Sequence, residues 1–369
     1  MDQAFQNVMS REIGQHFHVI KKLGQGTFSQ VALARERTSG NLVAMKFVRK
    51  DRTRQAAFLH ELNVSISLSN YSGIIKTYPT YTETLDHYIF TQELAPAGTL
   101  HSIIKAEVGI PEDMVKRCAL QIARALEYMH DGGLVHRDLK PDNVLLMDKD
   151  CYQVKLCDFG FTQTVGYLIP TMSHTIPYMP PELCNLKPGQ FLVLDPSMDV
   201  WSFGVLLFVA LTGYFPWEEA VGHNSKYQVF AHWQCNRKYV SPPELWNRFT
   251  QEALDMFVKL LSRNPSVRNQ LGTVLDFLHS PWTLKALFTT GISNSLVTEG
   301  GLDIIILEEH AEIQLIEFKA QEQDHVAMVE DTDVMEFVFV DDTEMDSDSV
   351  IMLMTENMSL ALGSEIDIT

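Results

Sequence analysis

Between Phe17 and Val48 the apolar residues fall in three short runs, separated by Gly24-Gln25-Gly26-Thr27-Phe28 and by Thr38-Ser39-Gly40-Asn41. Breaks of this composition mark turns, so the pattern predicts three strands of a small antiparallel sheet. A helix is expected over 54–68, then strands near 74–80 and 88–93, with Ala95-Pro96-Ala97-Gly98 following as a hinge-like linker. Beyond the linker the chain reads as helical. Val115, Cys118, Ala119, Ile122, Leu126 and Met129 recur three and four apart, the stripe of an amphipathic helix between Glu112 and His130. Residues 200–211 are apolar on every side, which predicts a helix at the centre of the larger lobe and makes Asp199, at its start, a buried carboxylate. Helices over 251–261 and 271–278 complete that lobe, and no internal repeat is present.

The chain has 369 residues, 46% of them apolar, enough for a two-lobed domain of about 250–300 residues plus an extension. Its formal charge of −18 is unevenly spread. Residues 291–369 hold 20 of the 47 acidic residues and one of the 29 basic ones, leaving 28 basic and 27 acidic residues, a balance of +1, for residues 1–290. The acidity therefore describes a tail, and no nucleic-acid partner is expected. Because composition shifts abruptly after Phe288, the expected organisation is an extension over 1–15, a domain over 16–290 divided at 94/95, and a proline-free acidic tail over 291–369, expected to be disordered.

The five cysteines, Cys118, Cys151, Cys157, Cys184 and Cys235, form no C-x-x-C pair, which implies free thiols in a reducing compartment. Met1–Ile13 lacks the apolar core of a signal segment, and Val205–Leu211 is too short to span a bilayer. A cytosolic or nuclear protein with no membrane partner is expected.

Several polar residues carry candidate chemistry. Gly24 and Gly26 allow backbone to approach phosphates, with Phe28 as a cap, although Ser29 stands where a third glycine would be. Lys46 sits on a strand from which an ammonium reaches the α and β phosphates, and Glu61, 15 residues later on the helix that should cover the sheet, is its expected ion-pair partner. His136-Arg137-Asp138-Leu139-Lys140-Pro141-Asp142-Asn143 supplies Asp138 as a base for a hydroxyl, Lys140 to neutralise the transferring phosphate and Asn143 as a hard oxygen ligand. Asp158-Phe159-Gly160 follows 15 residues after Asn143, and Asp158 is the second ligand for Mg2+. Phosphoryl transfer requires this set: a cation, a base and two metal ligands at one cleft.

On these motifs residues 16–290 resemble the eukaryotic protein kinases, which implies an α+β bilobal fold, ATP and Mg2+ as cosubstrate and cofactor, and a protein substrate. Lys140, with Thr175 in Thr175-Ile176-Pro177-Tyr178-Met179-Pro180-Pro181-Glu182, is similar to the serine/threonine branch. The segments 91–98, 111–118 and Phe215-Pro216-Trp217-Glu218 resemble the Src-homology-3-domain-binding kinase family. The partner in that family name does not carry over, since no proline follows Pro281. The resemblance implies an ATP site of Leu23, Gly24, Gln25, Gly26, Thr27, Phe28, Val31, Ala44, Lys46, Gln92, Glu93 and Ala95, with Gln92 as gatekeeper and 93–95 bonding adenine through the backbone. It pairs Glu182 with Arg268 and has Asp199 hold the catalytic-loop backbone.

Ser65, one turn after Glu61, stands where such kinases place an apolar spine residue, a departure that would loosen the active arrangement. Cys157 either faces the nucleotide pocket or packs as a buried thiol. Arg137, expected near the activation segment without another partner, suggests control by a phosphate on Thr171 or, second, Ser173. The resemblance associates basic substrates with glutamates near positions 99 and 209, and this chain has Thr99 and Val209 there. In the tail, Ile304-Ile305-Ile306-Leu307-Glu308-Glu309, Val338-Phe339-Val340-Asp341-Asp342 and Asp348-Ser349-Val350-Ile351-Met352-Leu353 each resemble a SUMO-interacting motif; the plainer reading is a solvated tail whose apolar clusters dock on its own domain or self-associate. Two function classes remain, an active serine/threonine kinase or a pseudokinase scaffold that recruits SUMO-bearing partners.

Overall fold

The computed structural model describes residues 11–170, 176–268 and 270–284. Helix α1 (Arg11–His16) leads into strands β1 (Phe17–Gln25), β2 (Ser29–Glu36) and β3 (Leu42–Arg49), followed by α2 (Gln55–Leu68), β4 (Thr77–Glu83) and β5 (His87–Glu93). The five strands form one antiparallel sheet in the order β1-β2-β3-β5-β4. One apolar cluster joins Val19, Ala32, Ala34, Val43, Met45, Phe47 and Ile89, and Ile13 of α1 is buried among them. The packed lobe thus takes in residues ahead of Phe17. A second cluster joins α2 to the sheet through Phe58, Leu62, Val48, Tyr88 and Phe90, with Phe58 stacked on Tyr88 at 4.6 Å.

Strand β4 begins at Thr77, three residues later than the apolar run suggests. Ile74 and Ile75 are fully buried and are spent elsewhere: the Ile75 N–H donates to Leu156 O (2.9 Å) and the Leu156 N–H to Gly73 O (2.8 Å). The run is apolar because it enters the core of the larger lobe, not because it lies in the sheet.

The larger lobe runs through α3 (Leu100–Ile103), α4 (Glu112–Asp131), β6 (Leu134–Val135), β7 (Val144–Leu146), β8 (Val154–Leu156), β9 (Gln163–Thr164), β10 (Leu168–Pro170), α5 (Pro181–Cys184), β11 (Phe191–Val193), α6 (Ser197–Thr212), α7 (Ser225–Cys235) and α8 (Gln251–Leu260). Every residue of α6 is buried, as its uninterrupted apolar sequence requires. It ends at Gly213 with φ +71°, where a side chain would collide with the backbone of Lys105 and Glu107. Around it, Trp246 packs against Phe208 (4.6 Å), Phe230 (4.7 Å) and Phe257 (5.3 Å). The lobe is less uniformly helical than expected: β6 pairs with β9, β7 with β8 and β10 with β11, and residues 271–277 form a 3-10 helix rather than an α-helix.

The amphipathic helix α4 also closes the domain. Glu112 in its first turn accepts hydrogen bonds from the Trp282 N–H (2.8 Å) and from the Thr283 N–H and hydroxyl (both 2.8 Å), and pairs with Lys116 at 2.9 Å. Burial alone would raise this carboxyl, but Lys116, Trp282 and Thr283 outweigh it and hold the pKa below the ordinary 4.5. A depressed folded-state pKa contributes stability above the unfolded value that is lost as pH falls through the folded one. Glu112→Ala is therefore expected to lower the unfolding midpoint at pH 7 by several degrees, at about 2–4 °C per kcal/mol for a domain of this size. Melting curves of both proteins should converge as the pH is lowered below the ordinary glutamate range.

Candidate active site

Lys46, in the middle of β3, faces Val31 of β2 and Phe90 of β5 across the sheet. Its Nζ lies 2.5 Å from Glu61 Oε1 on α2 and 3.0 Å from Asp158 Oδ1. Burial would lower this ammonium, but the charges of Asp158 and Glu61 reverse the effect and raise it well above its ordinary value, so it stays cationic. Desolvation likewise disfavours the Asp158 carboxylate, and the contact with Lys46 more than offsets it, leaving that pKa below 3.8.

The segment carrying Asp138 hangs on the first turn of α6. Asp199, fully buried, accepts from the His136 N–H (2.8 Å), the Arg137 N–H (2.9 Å) and His130 Nε2 (2.8 Å). Burial pushes its carboxyl up, yet His130, His136 and the Arg137 N–H hold it below 3.8. Arg137 has φ +68° and Asp158 has φ +66°, a left-handed conformation rare for residues with a side chain. Asp138 is 3% exposed; its Oδ2 accepts from Lys140 Nζ (2.8 Å) and Asn143 Nδ2 (2.9 Å). Since β7 and β8 form a hairpin and the Cys157 N–H donates to Asn143 O (3.0 Å), Asn143 and the start of 158–160 meet at its end. Phe159, fully buried, packs on the His136 ring at 5.4 Å.

The residues expected to surround ATP lie along four adjacent strands, β1, β2, β3 and β5, and the segments beside them. Val31 is opposite both Gly24 and Lys46, and Ala44 is opposite Gln92. Leu23 and Phe28 are exposed, as are Gln25 at the end of β1 and Thr27 in the turn, and the Gly26 N–H closes that turn on Ser29 O (2.8 Å). Glu93 ends β5 with its Oε1 accepting from Lys155 Nζ (2.5 Å) and the Lys76 N–H (2.7 Å), which ties the linker to both lobes; Ala95 beyond it is half-buried.

Arg268 forms two parallel bonds to Glu182 (2.9 and 3.0 Å), donates to Ser197 O (2.8 Å) and Ser262 O (2.9 Å), and lies over the Trp201 ring at 5.1 Å. Arg137 differs from expectation: its guanidinium donates to Phe161 O (3.0 Å), so it does not wait for a phosphate to find a partner. Cys157 is half-buried and packs against the large core, where burial and then the Asp158 charge raise its thiol far above the reactive range. Thr171, Ser173, Thr175 and the three tail clusters lie outside the described residues. Sequence reasoning missed His130, Lys155 and Thr77, the last accepting from the Gln92 amide (2.9 Å), because each partner is distant along the chain and no spacing marks it.

Residues 17–283 match the family model for the protein kinase domain. The chain belongs to the protein kinase family. It is 44% identical over 267 residues to serine/threonine-protein kinase SBK1 of Mus musculus, covering 72% of this chain and 64% of that one. SBK1 of Danio rerio is 43% identical, covering 76% and 72%, and serine/threonine-protein kinase SBK2 of Homo sapiens is 37% identical, covering 76% and 82%. The chain thus spans just under two thirds of the mouse relative's length. The family takes ATP with Mg2+ and phosphorylates proteins, and these relatives are serine/threonine kinases.

The tie between Glu182 and Arg268 yields a direct test in this kinase. Arg268 is 7% exposed, so Arg268→Ala strands a carboxylate in a largely dry site and is expected to cost about 3–5 kcal/mol of stability. Arg268→Lys, which keeps the charge but not the fork, should recover only part of it in denaturant titrations.

Proposed function

We propose that this kinase transfers the γ-phosphoryl group of ATP to serine and threonine hydroxyls of proteins. The supporting observation is the convergence of Lys46, Glu61 and Asp158 beside an Asp138 oriented by Lys140 and Asn143. In this reading Lys46, held by Glu61, binds the α and β phosphates, Asp138 orients the attacking hydroxyl and takes its proton, and Lys140 neutralises charge on the group in flight.

Two oxygens fit Mg2+. Lys46 occupies Asp158 Oδ1, and Asn143 spends its Nδ2 on Asp138, while Asp158 Oδ2 and Asn143 Oδ1 accept no hydrogen bond among the described residues. Mg2+ characteristically takes few protein ligands and completes its shell with phosphates and water. When bound it screens charge between the phosphates. The turn also fits: a side chain at Gly24 would meet nothing within 4 Å, so its small size is not demanded by the protein's own packing and leaves room for a phosphate chain.

A scaffold without catalysis is not favoured, because Lys46, Glu61, Asp138, Lys140, Asn143 and Asp158, the polar residues the transfer needs, are all present. The departure at Ser65 leaves no unpaired group, since its Oγ donates to Glu61 O (2.7 Å). Neither position associated with basic substrates holds a carboxylate: Thr99 caps α3 and Val209 is buried on α6. Thr171 and Ser173 are proposed as phosphate-bearing positions of the activation segment, with Arg137 near its start. The acid-flanked tail clusters are proposed as SUMO-docking segments, and the five free thiols are consistent with a cytosolic or nuclear signalling enzyme.

The test is phosphate incorporation into a protein substrate with phosphosites read by mass spectrometry. Asp138→Asn is expected to lower kcat at least about 100-fold. Equal incorporation by the variant, or phosphate appearing only on tyrosine, would overturn the reading.

A further inference from the structure

A string of hydrogen bonds runs from the gatekeeper to the helix that carries Glu61. Gln92 Nε2 on β5 donates to Thr77 Oγ1 on β4 (2.9 Å), and the Thr77 N–H donates to Ser69 Oγ at the C-cap of α2 (2.8 Å). Ser69 Oγ donates in turn to Ser65 O (2.7 Å), and Ser65 Oγ to Glu61 O (2.7 Å). Thr77 is 3% exposed and Ser65 1%, and Ser69 between them is half-buried.

Apolar side chains in these places would press α2 and the sheet together without fixing one relative setting. Hydroxyls and amides impose direction. If α2 moves away from the sheet, the Thr77 N–H loses Ser69 Oγ at a dry position, and a buried donor left unpaired costs more than the bond contributed. Glu61 rides on the same helix, two turns before Ser69, and its carboxylate must stay within reach of Lys46.

We propose that Ser65, Ser69, Thr77 and Gln92 act as a latch that sets α2, and hence Glu61, against Lys46. Ser69 and Thr77 are then positioning residues for phosphoryl transfer. This rests on Lys46 and Glu61 forming the phosphate clamp, and the experiment separates failure of the latch from failure of the clamp.

The full chain is assayed at saturating ATP as Ser69→Ala, Ser69→Thr, Thr77→Val, the double variant Ser69→Ala/Thr77→Val, Lys46→Met and Ser67→Ala. Ser67 lies on the same helix but bonds only locally, to Val64 O at 2.9 Å, and serves as the control. Ser69→Ala removes the acceptor that joins sheet to helix, and Thr77→Val removes the one that holds Gln92. Each is expected to lower kcat about five-fold, the loss of one hydrogen bond at the transition state. Ser69→Thr, which keeps the oxygen, should restore the rate, Ser67→Ala should leave it unchanged, and the double variant should be no slower than the slower single one. Ser69 is half-buried, so Ser69→Ala should fold even if Thr77→Val does not. Unchanged kcat in Ser69→Ala or Thr77→Val, or rate losses that multiply in the double variant, would sink the latch while Lys46→Met still abolishes activity. An active Lys46→Met would remove the clamp and the latch together.

Discussion

The buried cation of Lys46, shared between Glu61 and Asp158, is the constraint on which the rest of the active centre depends. It joins a strand of the small lobe, the helix over that strand and the end of the β7–β8 hairpin in the large lobe. Taking such charges out of water costs several kcal/mol for each ion, and their attraction recovers this only with good geometry. The arrangement is therefore poor evidence for stability and good evidence for selection on position. Withdrawal of Lys46 would leave two carboxylates without their shared cation, at a site where Glu61 is 7% exposed.

The backbone strain at Arg137 and Asp158 has the same logic. A left-handed conformation in a residue with a side chain costs on the order of 1–3 kcal/mol and persists only where surrounding structure over-determines it. For Arg137 the restraint is Asp199, which binds two successive backbone N–H groups from a helix buried along its whole length. For Asp158 it is the contact with Lys46 together with the bond from the preceding Cys157 N–H to Asn143. The central helix α6 is thus a rigid datum to which the catalytic segment is referenced, and Arg268 over Trp201 secures that helix on its other side.

Much of this was legible in the sequence, for identifiable reasons. The strands β1, β2, β3 and β5 have turn chemistry at their borders, α4 has a strong apolar period and α6 an unbroken apolar run. Residues 138, 143 and 158 lie in the short motifs 136–143 and 158–160, and Lys46 and Glu61 follow from their places on a strand and on the helix that covers it. What escaped is what depends on distant partners. Helix α7, Ser225–Cys235, mixes Lys, Gln and His with Tyr, Phe and Trp and shows no clear stripe, because it buries the three rings of Tyr227, Phe230 and Trp233 rather than a continuous face. Residues 271–277 have apolar spacing that suits an α-helix, yet tertiary packing winds them more tightly. The paired strands β6 and β9, and β10 and β11, are only two or three residues long and distant along the chain, too short for any alternation to register.

Ser65 is where a local reading and the structure diverge in meaning. Read alone, a serine in place of an apolar side chain suggests a weakened core, and the loss of packing is real: burying a leucine-sized side chain is worth about 1.5–3 kcal/mol. A buried hydroxyl is destabilising beyond that only if its donor goes unpaired. Here the Ser65 Oγ closes back onto the helix one turn earlier, and its own carbonyl accepts from Ser69, so the polarity is satisfied at both ends. Ser69 and Thr77 continue the pattern instead of leaving Ser65 as an isolated polar defect. The substitution exchanges non-directional packing for directional bonds, and such an exchange is compatible with an intact Lys46–Glu61 pair, because what the clamp requires of α2 is a defined setting rather than maximal burial.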